Sequence, residues 1–344
     1  NPKYLWSKQR EMFSIKHQYI QRDSGRVCTE RLYADAAVRF LYSHAREHAP
    51  AIFRAITSAW GSSLLGYLNY HTILRKRAVF RSIGINPDEC VDDPNNLDTY
   101  EKIFERKIRY WDCRPMPEEP RAIVSPSDSR VILGSFYETS TLCLKNKFFG
   151  YEELFGLDKK NWLRAFLDGN FAIFRLTPEK YHYNHTPVAG KVVDIYELDG
   201  DYHACNPGAV VTMVSPYSKN KRVVTIIDTD VPNGSRAGFV AMIEIVALMI
   251  GKVVQRYSEE KYDFPKPVSI GMFLKKGLPK SLYRPGSSTT VLIFQKGRIK
   301  FAEDLIRNMF SRGVESRFSK GFGMPLVETE VTVRSLIAHI VDAR

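Results

Sequence analysis

Two of the chain's eight histidines stand three residues apart, His182 and His185 in Tyr181-His182-Tyr183-Asn184-His185-Thr186-Pro187, behind an apolar run and ahead of Gly190. Imidazoles titrate nearest neutrality, so such a pair can move protons or ligate a metal. A metal lacks donors here, since no Cys, His or carboxylate stands at ligand spacing to complete a tetrahedral set, and two hydrogen-bonded loop histidines are the structural alternative. Further along, Pro285-Gly286-Ser287-Ser288-Thr289 runs directly into the apolar stretch Thr290 to Phe294. Hydroxyl residues at the mouth of a strand often make only a turn, yet a serine there becomes a nucleophile when a histidine and a carboxylate reach it. Asp128, in Ser125-Pro126-Ser127-Asp128-Ser129-Arg130, is a carboxylate able to orient an imidazole. His44 and His48, at i, i+4 around Glu47, lack the HExxH order and read as a solvated helix face.

Residues from about Tyr4 to Arg81 have helical apolar spacing, including Ile52, Ile56, Trp60, Leu64 and Leu68 at four-residue intervals. Flanked by Arg54 and Arg75-Lys76-Arg77, this stripe suits an amphipathic segment in an anionic membrane interface, or simple packing on the rest of the protein. The charge-free run Ala55 to Leu74 is too rich in Ser, Thr, Gly, Asn and His to be a spanning helix. Turn-rich Pro87 to Asn96, a helix-like Leu97 to Ile108 and the Pro-rich linker Arg114 to Pro120 follow. Beyond it come short β-branched runs: 122–124, 131–133, 171–176, 190–196, 223–228, 237–246, 289–294 and 330–333. The fold class expected is α+β, with a basic helical region over 1–112 and, over 113–344, a mostly antiparallel β sandwich or barrel-like catalytic domain.

The 344 residues, 44% hydrophobic and 26% charged, exclude a disordered or fibrous chain. A net charge of +12 calls for an acidic partner, and residues 1–87 hold 14 basic against 5 acidic residues, +9 of that excess. Nucleic acid is disfavoured as that partner because no zinc-finger, RNP or helix-turn-helix pattern organises the basic residues. Five widely spaced cysteines without a CxxC pair fit a reducing compartment. No secretory signal pattern is present, although a chain beginning at Asn leaves upstream targeting residues open.

In order and separation, these pieces resemble the phosphatidylserine decarboxylase family of pyruvoyl-dependent enzymes. Leu97 to Lys107 resembles the family's segment ending in FF-x-R, Ser125 to Asp128 its P-x-D-G, and Tyr181 to Pro187 its YHRxHxP. Lys219 to Arg222 resembles RNER, Ile245 to Gly251 VGATxVG, and Gly286-Ser287-Ser288-Thr289 GGST. Phe294 to Ile299 and Glu328 to Val333 are also similar. Departures are Ser129 and Ser287 where the family has Gly, Tyr183 for Arg, and Val246 for Gly. Residues 274–283 are an insertion carrying Lys275, Lys276 and Lys280, expected as a basic lid over an anionic head group or a longer hairpin.

The resemblance implies that Ser288 attacks the carbonyl carbon of its own preceding peptide. Cleavage between Ser287 and Ser288, with Gly286–Ser287 as the fallback bond, would give chains 1–287 and 288–344. The second would start with a pyruvoyl group derived from Ser288, the sole cofactor, with neither PLP nor metal. His185 would take the serine proton, oriented by Asp128. The pyruvoyl would form a Schiff base with the substrate amine, and His182 would protonate the carbanion left by CO₂ loss. The implied function is conversion of phosphatidylserine to phosphatidylethanolamine and CO₂ by a peripheral enzyme on the cytoplasmic side of an anionic phospholipid membrane. Its partners would be its own cleaved small chain and a second copy in a homodimer. Alternatives are decarboxylation of a soluble amino acid, or a cleavage-deficient lipid-binding relative.

Overall fold

The structure, a computed structural model, describes residues 13–70, 84–144, 147–213, 215–249, 252–286 and 288–341. Tyr4, Arg75-Lys76-Arg77 and Ser287 lie outside the described residues. Strands in chain order are β1 (Gln18–Gln21), β2 (Val27–Thr29), β3 (Ala122–Val124), β4 (Ser129–Ser135), β5 (Asn170–Leu176), β6 (Tyr183–His185), β7 (Gly190–Leu198), β8 (Arg222–Asp228), β9 (Phe239–Ile245), β10 (Val253–Gln255), β11 (Phe273–Leu274), β12 (Pro279–Tyr283), β13 (Ser288–Phe294), β14 (Ile299–Phe301), β15 (Glu328–Val331) and β16 (Leu336–Ile340).

A ten-stranded sheet has the order β11-β7-β8-β9-β13-β5-β4-β15-β1-β2, and two three-stranded sheets run β10-β12-β6 and β14-β16-β3. Every named pair is antiparallel except β1 with β15. The class is therefore α+β with mostly antiparallel sheets. The sheets are open and do not close into a barrel, which corrects the barrel-like part of the sequence reading. β13 explains its own composition: it lies between β9 and β5 with all seven residues buried, so its apolar run needs no polar alternation.

The all-helical reading of 4–81 is corrected at its start. Asp23-Ser24-Gly25 makes a turn with Gly25 at φ +67°, and β1 and β2 form a hairpin against β15. Helices follow: α1 (Asp35–Phe40), α2 (Pro50–Thr57) and α3 (Ala59–Tyr70). The apolar stripe is interrupted at Ser58, which is extended, and within α2 Ile56 packs on the cluster of Phe13, Leu41, Tyr42 and Phe53. Ile52, Trp60, Leu64 and Leu68 stay exposed, Trp60 at 75%. Among the described residues no helix is long and apolar enough to cross a membrane.

The insertion is not a lid. β12 lies within it and is the central strand of its sheet, between β10 and β6. Lys280 is fully buried, 2.7 Å from the equally buried Glu244 carboxylate, while Lys275 pairs with Glu259 and Lys276 donates to the Ala122 carbonyl. Glu244 also accepts from Gln255 and Asn184, and Thr290 donates to Asn184, so this polar network fixes the small sheet against β9 and β13.

Candidate active site

Ser288 opens β13, in register with Leu176 of β5. It is buried, and its Oγ meets no hydrogen-bond partner among the described residues. Two residues earlier Gly286 holds φ +144°, a backbone region that a Cβ makes costly. Tyr283, at the end of β12, donates to the Thr289 carbonyl at 2.9 Å and so pins the far side of this connection. Thr289 Oγ1 donates to Cys205 Sγ at 3.1 Å.

The histidines lie not in a loop but at and beside β6, which pairs with β12. His185 is buried between the Gly277 carbonyl, 2.9 Å from Nδ1, and the Tyr181 hydroxyl, 2.9 Å from Nε2. A carbonyl only accepts, so Nδ1 carries the proton and Nε2 the lone pair, to which Tyr181 donates. Burial pushes this imidazole down to about 3, against the Gly277 bond that favours its proton, so it is neutral at physiological pH. Because Tyr181 spends its proton on His185, Tyr262 donates to Tyr181 at 2.7 Å and itself accepts from the Ile108 N–H at 3.2 Å.

His182 is also buried, stacked on Phe104 with ring centroids 3.4 Å apart, and neither ring nitrogen has a hydrogen-bond partner among the described residues. Burial first, then the positive field of Arg106, holds its pKa well below the usual range, against an opposing contribution from the backbone at Lys180. Phe104, at the end of α4 (Tyr100–Phe104), shares one apolar cluster with Leu176 and Tyr283. His182 thus stacks on a ring of the cluster that also holds Leu176, the register partner of Ser288.

Among the described residues the hydrogen-bonded series Ser288–His185–Asp128 expected from the sequence is not made. Asp128 accepts from Arg114 through both oxygens, Nε to Oδ1 at 3.0 Å and Nη2 to Oδ2 at 2.7 Å, and from the Val333 N–H at 2.7 Å. Burial alone would raise its pKa, but the Arg114 charge and these bonds keep it lowered and ionised. Its charge reaches His185 and favours a proton there, but the Gly277 carbonyl holds Nδ1 in its place. The backbone N–H of His185 donates to Pro126, which seats β6 beside the Asp128 segment.

His17, Glu30 and Glu328 have the donor types of a metal site. Arg175 and Arg130 already pair with these carboxylates, which both stay far below the usual range despite burial, so the cluster is closed by its own charges. A small open cleft is lined by Leu176, the register partner of Ser288, and by Cys205, which accepts from Thr289. Its other walls include Tyr33, Val38, Leu248 and Met249, and the Met249 N–H donates to Ser62 on α3 at 2.7 Å. Tyr181 and Tyr283 flank the motifs and were within reach of sequence reasoning; Gly277, Arg114 and Cys205 carry no sequence signal that ties them to the site.

An α+β fold that buries, behind a glycine at positive φ, a serine with no hydrogen-bond partner among the described residues, and that holds two imidazoles neutral by burial, has the groups needed for acyl transfer at its own backbone. The family model described as phosphatidylserine decarboxylase matches residues 100–312. A phosphatidylserine decarboxylase proenzyme of Fusobacterium nucleatum is 26% identical over 311 residues, 89% of this chain and 96% of the relative. One of Chlamydia trachomatis is 27% identical over 311 residues, 88% and 95% of the two chains. A phosphatidylserine decarboxylase proenzyme 2 of Oryza sativa is 32% identical over 241 residues, 69% of this chain but 35% of its own. The family match spans more than half of the sequence, and the chain belongs to the phosphatidylserine decarboxylase family.

Proposed function

We propose that the chain is a proenzyme that cuts itself before Ser288 and then converts phosphatidylserine to phosphatidylethanolamine and CO₂ at an anionic membrane surface. The observation that carries this reading is the buried, unpartnered Ser288 Oγ behind Gly286, inside the segment that the family model matches. Ser288 Oγ attacks the carbonyl carbon of residue 287 and gives its proton to an imidazole. The amide C–N bond breaks as nitrogen takes a proton, leaving an ester. Elimination across the Cα–Cβ bond of residue 288 releases the 1–287 carboxylate, and hydrolysis with loss of ammonia leaves a pyruvoyl group. The position fits such a group: it is buried, apolar on the Leu176 side, and makes no hydrogen bond that its loss of the hydroxyl would break. The group supplies a carbonyl that condenses with the substrate amine and withdraws the electrons left by CO₂.

His185 takes the serine proton in this reading. It is neutral, with Nε2 as its basic atom, and Tyr181 must release that atom first. A specific observation favours His182 as the alternative base: neither of its nitrogens has a hydrogen-bond partner among the described residues, and Phe104, on which it stacks, belongs to the cluster of Leu176, the register partner of Ser288. In turnover His182 would hold the proton that the substrate carbon takes up as CO₂ leaves, and the surrounding apolar cluster would exclude water.

The small chain stays bound after cleavage, because its β13 sits mid-sheet between β9 and β5 and its β15 between β4 and β1. Exposed Ile52, Trp60, Leu64 and Leu68 are the surface that enters the interfacial layer of the membrane in this reading and holds the protein there as a peripheral one. His185→Ala should block maturation, while His182→Ala should mature and lose CO₂ release from phosphatidylserine vesicles. The reverse pattern on gels would move the base to His182. A wild-type protein that matures but releases CO₂ only from a free amino acid would overturn the substrate, and one that binds vesicles uncut would make it a lipid-binding relative.

A further inference from the structure

Arg106 is a buried charge that none of these steps uses. It is 6% exposed, and among the described residues no carboxylate lies within ion-pair distance of it. Its bonds are Nη1 to the Ile103 carbonyl at 3.0 Å and Nη2 to the Glu179 carbonyl at 2.8 Å. Other buried arginines are compensated: Arg130 and Arg175 by Glu30, Arg175 also by Glu328, and Arg317 by Asp35. Arg222 lacks an ion pair too, but spends Nε, Nη1 and Nη2 on three carbonyls. Arg106 Nε makes no hydrogen bond among the described residues, so the guanidinium keeps a donor to offer and has no directly paired carboxylate, Asp128 and Glu89 acting on it only from beyond ion-pair distance.

Its place gives that deficit a use. Arg106 follows two residues after Phe104, the ring stacked on His182, and its field reaches His182. Phe104 shares a cluster with Leu176, which faces Ser288 and lines the cleft. Glu179, whose carbonyl holds Nη2, comes directly after Thr177-Pro178 of the cleft wall.

Resting on the function proposed above, we infer that Arg106 is the anion-binding residue of the substrate site and takes the phosphodiester of the phospholipid head group. The substrate offers two anions, and the chemistry chooses between them. A cation bound to the departing carboxylate would stabilise it in the ground state and lose that contact as CO₂ forms, which slows the step. A phosphodiester keeps its charge throughout, so its binding aids recognition without opposing reaction. This assigns the discrimination between a phospholipid and a free amino acid to one side chain. An anion there also offsets the field that disfavours a proton on His182.

The test compares wild type, Arg106→Gln and Arg106→Lys as full chains, with soluble short-chain phosphatidylserine as substrate and glycerol phosphate or acetate as competitor. Denaturing gels report maturation separately from turnover. Arg106→Gln should mature, keep kcat within about threefold, and raise KM by about tenfold or more, as loss of a charge-assisted hydrogen bond requires. Glycerol phosphate should compete in wild type and in Arg106→Lys and lose its effect in Arg106→Gln; acetate should be the weaker competitor. Unchanged KM and unchanged glycerol phosphate competition in Arg106→Gln would overturn the inference, as would acetate competing equally well. If the Gln variant does not mature, the wild-type competition decides: no inhibition by glycerol phosphate refutes the assignment. A mature wild type without any phosphatidylserine decarboxylation would instead sink the function on which the inference rests.

Discussion

Self-cleavage should be insensitive to pH where an ordinary histidine base would fail. With its pKa near 3, His185 is about 99% neutral at pH 5, whereas an imidazole at the usual value of about 6.5 would be about 3% neutral. The maturation rate should therefore change less than about twofold between pH 7.5 and 5, against a fall of about 30-fold for an unperturbed base. The sign for stability is opposite and sets the usable window. An imidazole neutral in the fold but protonated in the unfolded chain contributes fully above pH 6.5, and that contribution is lost as pH falls toward 3. The loss is about 2 kcal/mol by pH 5 and about 4 kcal/mol by pH 3. Chain from cell-free synthesis, shifted rapidly into buffers from pH 5 to 8, would be followed by disappearance of the 39.5-kDa precursor on denaturing gels, with circular dichroism confirming folding. A rate that titrates away around pH 6.5 in folded protein would refute the buried-base reasoning for either imidazole, since His182 is depressed too.

Other expectations follow from the buried network and the exposed helices. Lys280→Met leaves Glu244 buried without its cation and should cost about 3–5 kcal/mol, seen as a lower urea midpoint; Lys280→Met with Glu244→Leu should recover part of it. An unchanged midpoint in the single variant would show that the pair does not brace the sheets. Leu64→Ser with Leu68→Ser should weaken partitioning onto anionic vesicles by about tenfold or more, from about 1.5–3 kcal/mol per side chain withdrawn from the interface, and leave maturation intact. Equal binding in flotation assays would place the membrane contact elsewhere.

What could be read from residues alone follows from how local each signal is. Strands such as 171–176 and 289–294 are announced by β-branched and aromatic runs, and both are present as β5 and β13. β1 and β2 were hidden because an edge hairpin carries few buried residues, leaving Ile20 as the inward apolar position in β1. The sequence stripe through Ile56 failed at Ser58, where one extended residue turns the helix face. At the site, His182, His185 and Ser288 were conspicuous by type and spacing. Their partners were not: the Gly277 carbonyl has no side-chain signature, and Arg114 reaches Asp128 only because the Pro-rich segment folds back on it. Lys280 looked like a surface cation, since its burial depends on Glu244, a residue 36 positions away.

Self-cleavage before Ser288 is the central claim, and the intact masses of the purified wild-type chains test it most directly. Two species covering 1–287 and 288–344 should be found, the smaller one lighter than its simple hydrolysis product by one ammonia, as a pyruvoyl terminus requires. Ser288→Ala should give a single uncut chain. A wild-type protein of undivided mass, or a small chain with an intact amino-terminal serine, would contradict it.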